Sequence, residues 1–442
     1  MNRQHRSQIV DQFYDAKNEK PLAPGQSPTR MVVYTDSISC STGFGQVAKN
    51  ILMGIYKSGR YGIAQFGINY WGEPHEYPID IFPMGINRDN DPYGRKKFAE
   101  LAMGLDYDLL FCSQDSFILM ILKELVPQLR NKGKNAPVVA YFPIDGVPKP
   151  QWIEGTSAAD HLITYSQWGK EMAISQYPPL AMRDVEIIPL GINLNHFHPL
   201  EEKEIKEFRR GYFKSQADRF IFTVVARNQQ RKDLTRALRA FKEVKKQRPD
   251  SLLYMHMAMD DLGWKLGECC KSLGLNISTD VIFPSKFNIN KGFPVQVLNL
   301  LYNASDCVIS TALGEGWGLS QTEAMATKVP VIMPNNTVHP EICNFGERGL
   351  LVDAGGDPDH EIIITNDFEV LRPAVHVSDM IEKMVWMFDN RGSEEVNTMV
   401  EKGYEYVVKE LDWNKVIPRF LKIFDRAVSE GIKASAVTAD LL

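Results

Sequence analysis

Short apolar runs alternate with amphipathic stretches of helical period along most of this chain, starting near residue 30. Continuous apolar, β-branched runs predict strands at 31–35, 63–66, 109–112, 138–142, 162–165 and 185–188. Helix-period segments at 47–57, 117–129 and 167–176 separate several of them. The stretch IPLGINLNHFHPLEEKE then breaks the pattern with Pro, Gly and Asn before a charged helix at 201–212. A second alternating series follows. Its strands are expected at 220–225, 252–257, 281–283, 307–310, 331–333 and 350–352, and its helices at 234–247, 295–302 and 321–327. The remainder, from 377 to about 428, reads as helices.

Unbroken apolar strands separated by helices imply parallel sheets covered on both faces, an α/β class. The reading is therefore two doubly wound Rossmann-like domains facing across a cleft. Residues 1–29 form a polar, Pro/Gly-punctuated arm, 30–195 the first domain, 196–405 the second, and 406–442 C-terminal helices. Ligands of such sheets bind beyond the strand carboxyl ends, so the expected site lies there.

Composition changes this picture little. The 442 residues carry 50 basic and 55 acidic side chains, a net charge of -5, which leaves no broad electrostatic footprint for nucleic acid. Six cysteines are scattered, and only Cys269 and Cys270 are adjacent; this is neither a zinc knuckle nor a CxxC pair, and it suits a reducing compartment. No segment has the roughly 20 apolar residues that span a bilayer, and no signal-like apolar core follows the N-terminus, so a cytoplasmic location is expected.

The richest segment for chemistry is ISTALGEGWGLSQTEAMATKVPVI, residues 309–332. A strand ends in small residues, a Gly-rich turn carries Glu315, and a helix starts near Ser320. Gly314, Gly316 and Gly318 let the backbone approach a ligand closely. The free N–H groups of Leu319, Ser320 and Gln321 would face an anion such as a diphosphate. Glu315 and Glu323 suit hydrogen bonds from hydroxyls of a sugar and a ribose. A plain Gly turn with a capping acid would account for neither the second glutamate nor the buried PVI strand that follows.

GEGWGLSQTEAMATKVPVI resembles the signature of the family-four retaining glycosyltransferases, which have the GT-B fold; the pair Glu315 and Glu323 stands where that family has its two glutamates. Further segments resemble the family in order: STGFGQVAKNI (41–51), ADHLITYSQWGKEMA (159–173), IPLGINLNHFHP (188–199) and VVARNQQRKDLTRALRAF (224–241). The resemblance implies transfer of a hexose or pentose from a UDP- or GDP-linked sugar to an acceptor hydroxyl. The acceptor class is open: a glycan, a small molecule or a modified DNA base. The family implies front-face displacement without a protein nucleophile, no cofactor, and tail helices that cross back to the first domain. Oligomeric state is left open.

Arg227 and Lys232 follow the strand at 220–225, so both cations would meet the leaving diphosphate; the competing reading makes them part of a basic helix face with Arg231, Arg236 and Arg239. The catalytic set is Glu315, Arg227, Lys232 and Asp145. The donor-binding set is Gly43, Gly45, Gly316, Gly318, Leu319, Ser320 and Glu323, with the glycines of STGFGQVA in a loose loop. Asp145, after the strand at 138–142, would orient the acceptor hydroxyl or hold a donor-sugar hydroxyl, or is a turn Asp before Gly146. Asp115 is a second acceptor-side candidate. Backbone around 283–285 would meet the base.

Asp89-Asn90-Asp91 matches an Asp-x-Asp metal pattern but sits in a turn, and Asp260, Asp261 and His256 read as ordinary, so no metal is expected. The chain departs from the family at Asn228, at Asp233 and in MHMAMDD, where the family's strand contributes to nucleotide contacts. Two rivals stay open. One acts on a hydroxymethylated DNA base, with GRKKF (94–98) and RNKGK (130–134) gripping phosphates or simply ending helices. The other is a catalytically idle nucleotide-sugar-binding module.

Overall fold

The two apolar series become two separate parallel sheets. The computed structural model describes residues 27–85, 90–285, 287, 292–365 and 367–432, so most of the expected N-terminal arm and Asp89 lie outside the described residues. The chain divides into two units, Met1–Gly191 with Trp413–Leu442 and Ile192–Asp412. The sequence reading put these boundaries at 195 and 406.

The first unit holds seven strands: β1 Thr29–Asp36, β2 Tyr61–Ile68, β3 Asp80–Pro83, β4 Leu109–Ser113, β5 Val138–Phe142, β6 His161–Thr164 and β7 Val185–Ile187. Their order is β3-β2-β1-β4-β5-β6-β7, and every pairing is parallel. All five residues of β5 and of β4 are buried, as expected of strands covered by helices on both faces. Helix Gly43–Lys57 starts at Thr42, whose hydroxyl accepts from Gly45 N, and buries Val47, Ile51, Leu52 and Ile55. The last helix, Trp413–Glu430, belongs to this unit. Phe420 and Phe424 on its apolar face meet Phe111 and Tyr141, with ring centroids 5.0 Å apart for Phe111–Phe424 and Tyr141–Phe420. Burying such a side chain contributes about 1.5–3 kcal/mol.

Gly191 shows how tightly this helix is seated: a Cβ there would stand 2.3–2.7 Å from ring atoms of Trp413. Gly191→Ala is therefore expected to destabilise the protein by about 1–3 kcal/mol through overpacking. Urea unfolding reads this directly, and an unchanged midpoint would show that the ring is free to move.

The second unit repeats the architecture with β8 Phe220–Val225, β9 Ser251–His256, β10 Val281–Ile282, β11 Cys307–Ile309, β12 Val331–Pro334 and β13 Leu350–Val352, in the parallel order β10-β9-β8-β11-β12-β13. The amphipathic helix Leu234–Gln247 packs Leu234, Leu238, Phe241 and Val244 into a core with Phe222 and Met255. A small antiparallel hairpin, β14 Glu361–Ile363 and β15 Leu371–Pro373, follows β13. Among the described residues no helix is long and apolar enough to cross a membrane.

Both units are thus α/β and Rossmann-like. One departure concerns the first glycine-rich segment. Gly43 and Gly45 lie in the first turn of a helix rather than in a loose loop. A Cβ on Gly45 would sit 2.7 Å from the Cys40 carbonyl and 2.9 Å from that of Ser37. Close backbone packing explains this glycine without a ligand.

Candidate functional site

Strand order places the site of the second unit. Strands β8, β9 and β10 are laid down in one direction and β11, β12 and β13 in the other, so the chain reverses between the adjacent β8 and β11. The loops after these two strands must part there, which opens a crevice at their carboxyl ends. Those loops are Ala226 to Asp233 and Ser310 to Gly318. They are stitched together. The Thr311 hydroxyl donates to the carbonyls of Lys232 and Asp233 (3.1 and 3.0 Å), and Leu313 N donates to Arg231 O (2.9 Å).

Asp233 ends its loop with φ 44° and ψ 48°, a left-handed conformation that Asp tolerates better than most residues. Its carboxylate accepts from Thr235 (3.1 Å) and pairs with Arg236 at the start of helix Leu234–Gln247. Asn228 is likewise structural. It donates to the Met259 and Trp264 carbonyls (3.0 and 2.7 Å) and accepts from Trp264 N (3.0 Å), so it anchors the loop that contains MHMAMDD.

The charges meet at Glu315. Its carboxylate takes the Lys232 ammonium on one oxygen and the Arg231 guanidinium on the other, the latter at 3.3 Å. Arg231 also donates to the Gly314 carbonyl. Glu315 N donates to Thr337 Oγ1 at 3.1 Å, fixing the turn from the β12 side. Burial by itself would raise the Glu315 carboxyl; the Lys232 charge, then that of Arg231, overcome it and bring the group down to about 2. His339 lies beside them. Burial lowers its imidazole to about 4, so the ring is neutral near pH 7. Its Nδ1 is 3.2 Å from Asn336 Oδ1, while its buried Nε2 has no hydrogen-bond partner among the described residues.

Gly318 precedes helix Leu319–Ala326 with φ 92°, and a Cβ there would lie 3.4 Å from His339 Nε2. The positive φ calls for glycine, and the nearest neighbour of such a Cβ would be Gln321 Oε1 at 3.0 Å. The first-turn N–H groups of Leu319, Ser320 and Gln321 have no partner within their own helix, a standing demand for an acceptor. Glu323 is one turn further on. Tyr302 of helix Val295–Asn303 donates its hydroxyl to Glu323 Oε2 at 2.7 Å. Burial pushes this carboxyl up to about 7 despite that bond.

The structure brings together Lys232, Glu315, Gly316, Gly318, Leu319, Ser320 and, one turn away, Glu323. It treats Arg227 differently from the expectation. That guanidinium is held by Asp261 (2.7 and 3.2 Å), and the cation beside Lys232 is Arg231, which the sequence reading left to the helix face. Asp261 is thus an ion-pair partner. His256 reads as a satisfied strand histidine: its Nδ1 is 2.9 Å from the Tyr254 hydroxyl, and burial lowers it to about 4. Phe283 packs against the hydrophobic core and Ser285 is exposed. His339 was missed as well, because nothing in HPEI separates it from any other histidine before a short helix.

In the first unit, three acids stand beyond the carboxyl ends of adjacent strands: Asp36 ends β1, Asp115 follows β4 and Asp145 follows β5. Asp36, not singled out from sequence, is buried and accepts from Thr42 (2.5 Å) and Gln114 (2.6 Å). Burial raises its carboxyl and these bonds oppose the rise. Asp115 precedes the short helix Ser116–Leu119. Asp145 is half-buried in the loop that follows β5. Asp91 accepts from Arg95 N and Lys96 N (2.8 and 2.9 Å), the work of a helix-start acid. Arg130 is committed to Asp160 and two carbonyls, and Lys134 to Leu105 O, so two of the three RNKGK cations are used internally.

The fold this geometry defines is GT-B. The family described as "Glycosyl transferases group 1" matches residues 205–361, the part that contains Arg231, Lys232, Glu315 and Glu323. Among solved structures, sucrose-phosphate synthase from Thermosynechococcus elongatus is similar over 92% of this chain and 100% of its own, with 17% identity and a TM-score of 0.68. HepE of Anabaena in complex with UDP-glucose is similar over 90% of this chain and 100% of its own, with 15% identity and a TM-score of 0.65. The α,α-trehalose 6-phosphate synthase from Burkholderia multivorans is similar over 92% of this chain and 98% of its own, with 12% identity and a TM-score of 0.66. No curated protein matches the chain by sequence.

Proposed function

We propose that this protein is a retaining glycosyltransferase that moves a sugar from a nucleoside-diphosphate donor to an acceptor hydroxyl. The observation that carries the reading is the convergence of Lys232 and Arg231 on Glu315, at the strand-order reversal and beside the start of helix Leu319–Ala326. In this reading two fixed cations and the helix N–H groups take up the charge that grows on the departing diphosphate. Glu315 holds the cations in place before the donor arrives and offers its remaining lone pairs to a sugar hydroxyl. Glu323 meets the ribose hydroxyls. Arg227, held by Asp261, stands at the rim of the same loop.

The proposed reaction breaks the bond between the anomeric carbon and the diphosphate oxygen. It forms the bond to the acceptor oxygen on the same face, and the acceptor proton passes to the departing diphosphate. No protein nucleophile takes part, and the neutralising charge comes from the chain itself rather than from a metal. The reading retains Asp145, then Asp115, as first-unit groups for the acceptor. A cytoplasmic setting fits the six free thiols.

UDP-glucose is the first donor to try, since HepE of Anabaena was solved with it. In a thermal-shift screen of UDP- and GDP-sugars, one donor should raise Tm by several degrees, as about 2.7 kcal/mol follows at a hundredfold excess over Kd. If every nucleotide sugar leaves Tm unmoved, the reading fails. With an acceptor in hand, NMR of the product should show the anomeric configuration of the donor.

A further inference from the structure

One cluster in the second unit is absorbed by none of this. After β13 the chain turns through Ala354 to His360, runs out along β14 and returns along β15 to the helix Val377–Asp389. Ala354 pairs with Val375, Ala374 N donates to His360 O (2.7 Å), and His376 N donates to Asp353 O (2.8 Å). These bonds bring Asp357, His360 and His376 together although up to nineteen positions separate them.

One donor atom from each lies within 4.8 Å of the others, a convergence that no other trio of His, Cys, Asp or Glu shows among the described residues. His360 Nδ1 stands 2.8 Å from Asp357 Oδ2 and 2.9 Å from Oδ1. His376 Nε2 stands 3.6 Å from the same Oδ2 and 2.9 Å from the Gly355 carbonyl. The two imidazoles lie face to face, centroids 3.6 Å apart and planes 8° from parallel. All three side chains remain 26–40% exposed, so an ion can reach them.

A turn stabilised by Asp357 explains part of this. That carboxylate accepts from Asp359 N and His360 N (2.8 and 3.1 Å), as an Asx turn does. It does not explain why a second imidazole is stacked on the first, with its nitrogen facing the same oxygen. We infer that Asp357, His360 and His376 form a binding site for a divalent transition ion of the zinc type. Two imidazoles and one carboxylate suit a borderline ion and not Mg²⁺ or Ca²⁺, which prefer all-oxygen shells. Bonds of about 2.0–2.2 Å in a tetrahedron place ligand atoms about 3.4 Å apart, and the two rings turn out of their parallel stack so that their nitrogen lone pairs meet at one ion. The fourth position falls to water or to the Gly355 carbonyl, whose bond from His376 is given up.

The ion would act as a clamp. Pro373, at the end of β15, accepts from Asn336 Nδ2 (3.2 Å), and Asn336 also holds the Ala312 carbonyl (3.0 Å) and His339. Fastening the hairpin therefore stiffens the support behind the Glu315 turn. The inference stands whether or not the protein transfers sugars.

The test is calorimetric titration of the chelator-treated full chain with ZnCl2. One site is expected, with His360→Ala and His376→Ala each weakening it about tenfold or more, and Cys269→Ser/Cys270→Ser leaving it unchanged. Cobalt absorption on the wild-type protein covers the case in which a histidine variant does not fold. Strong tetrahedral d–d bands without a thiolate charge-transfer band are expected. Absence of stoichiometric binding, zinc binding that survives both histidine variants, or a thiolate band would each overturn the inference.

Discussion

A Lys232→Ala variant is expected to keep its fold and to lose about 10²–10³ in kcat, the usual cost of removing one group that stabilises a leaving oxyanion. Lys232 and Glu315 side chains are 16% and 15% exposed, so their pairing operates where water screens poorly. Removing the lysine leaves Arg231 at 3.3 Å, so Glu315 is not stranded as an unpaired buried charge. The stability cost should then fall below the 3–5 kcal/mol of a fully broken buried pair, to about 1–3 kcal/mol. The sign with pH follows from the same group. The Glu315 carboxyl at about 2 lies below its ordinary 4.5. Its contribution to stability is present above 4.5 and lost as pH falls toward 2. In the variant that acid-sensitive loss should shrink, because the larger of the two attractions is gone. Single-turnover kinetics with a saturating donor, alongside urea unfolding at pH 7 and pH 3, separates the two effects. A kcat within tenfold of wild type would remove Lys232 from the chemistry.

The second large effect belongs to Glu323. Its carboxyl is pushed up by burial to about 7, so it changes charge in the range where the protein would work. A carboxylate accepts two ribose hydroxyls, whereas a carboxylic acid gives up one acceptor site. Donor kcat/KM should therefore rise about tenfold between pH 6 and 8 through one ionisation near 7. Glu323→Gln should flatten that rise and raise the donor KM about 10–100-fold at pH 8, as one hydrogen bond to a charged group is lost and the amide oxygen keeps the other. Stability runs the other way. A carboxyl whose folded value is raised binds more protons folded than unfolded between 4.5 and 7, so the native state loses stability as pH rises through that window. Glu323→Gln should thus be more stable than wild type at pH 8 and indistinguishable near pH 4.5. An unaltered pH profile in the variant would place the ionisation elsewhere.

The strands that read most clearly from sequence are those whose position in the sheet is most protected. The runs at 138–142 and 220–225 coincide with the interior strands β5 and β8. Several short elements with little buried apolar surface escaped, although the edge strands β7, β10 and β13 were legible from their apolar runs. Strand β3, DIFP, is a four-residue edge strand with no fully buried residue, and β14 and β15 have largely exposed faces. The helix Arg95–Gly104 buries only Phe98 and Ala102, too little to mark a period. The single helix expected over 117–129 divides at Met120, where a Cβ on Gly155 would come within 2.5 Å of the Met120 Cα. A neighbouring backbone imposes that interruption, and no local pattern announces it.

The candidate site divides in the same way. Glu315, Gly318 and Glu323 are legible because strand end, glycine turn and helix start are contiguous in sequence, and backbone geometry ties them together over one loop. Which cation faces Glu315 is not a local matter. Arg227, Arg231 and Lys232 lie on one loop, and the Leu313–Arg231 and Thr311–Lys232 bonds turn Arg231 inward, while Asp261 draws Arg227 to itself. Residues that follow β12, Asn336 and His339, and residues that flank the hairpin, Asp357, His360 and His376, meet through contacts far along the chain.

Periodicity and turn chemistry, read residue by residue, therefore determined the α/β class, two successive sheets and the loop that carries the two glutamates. Those properties depend on neighbours in sequence. Tertiary structure alone decided the partners of each charge, the titration of Glu315 and Glu323, and the meeting of His360 with His376. Desolvation and Coulomb interactions act over a few ångströms of space, and only the folded chain sets those distances.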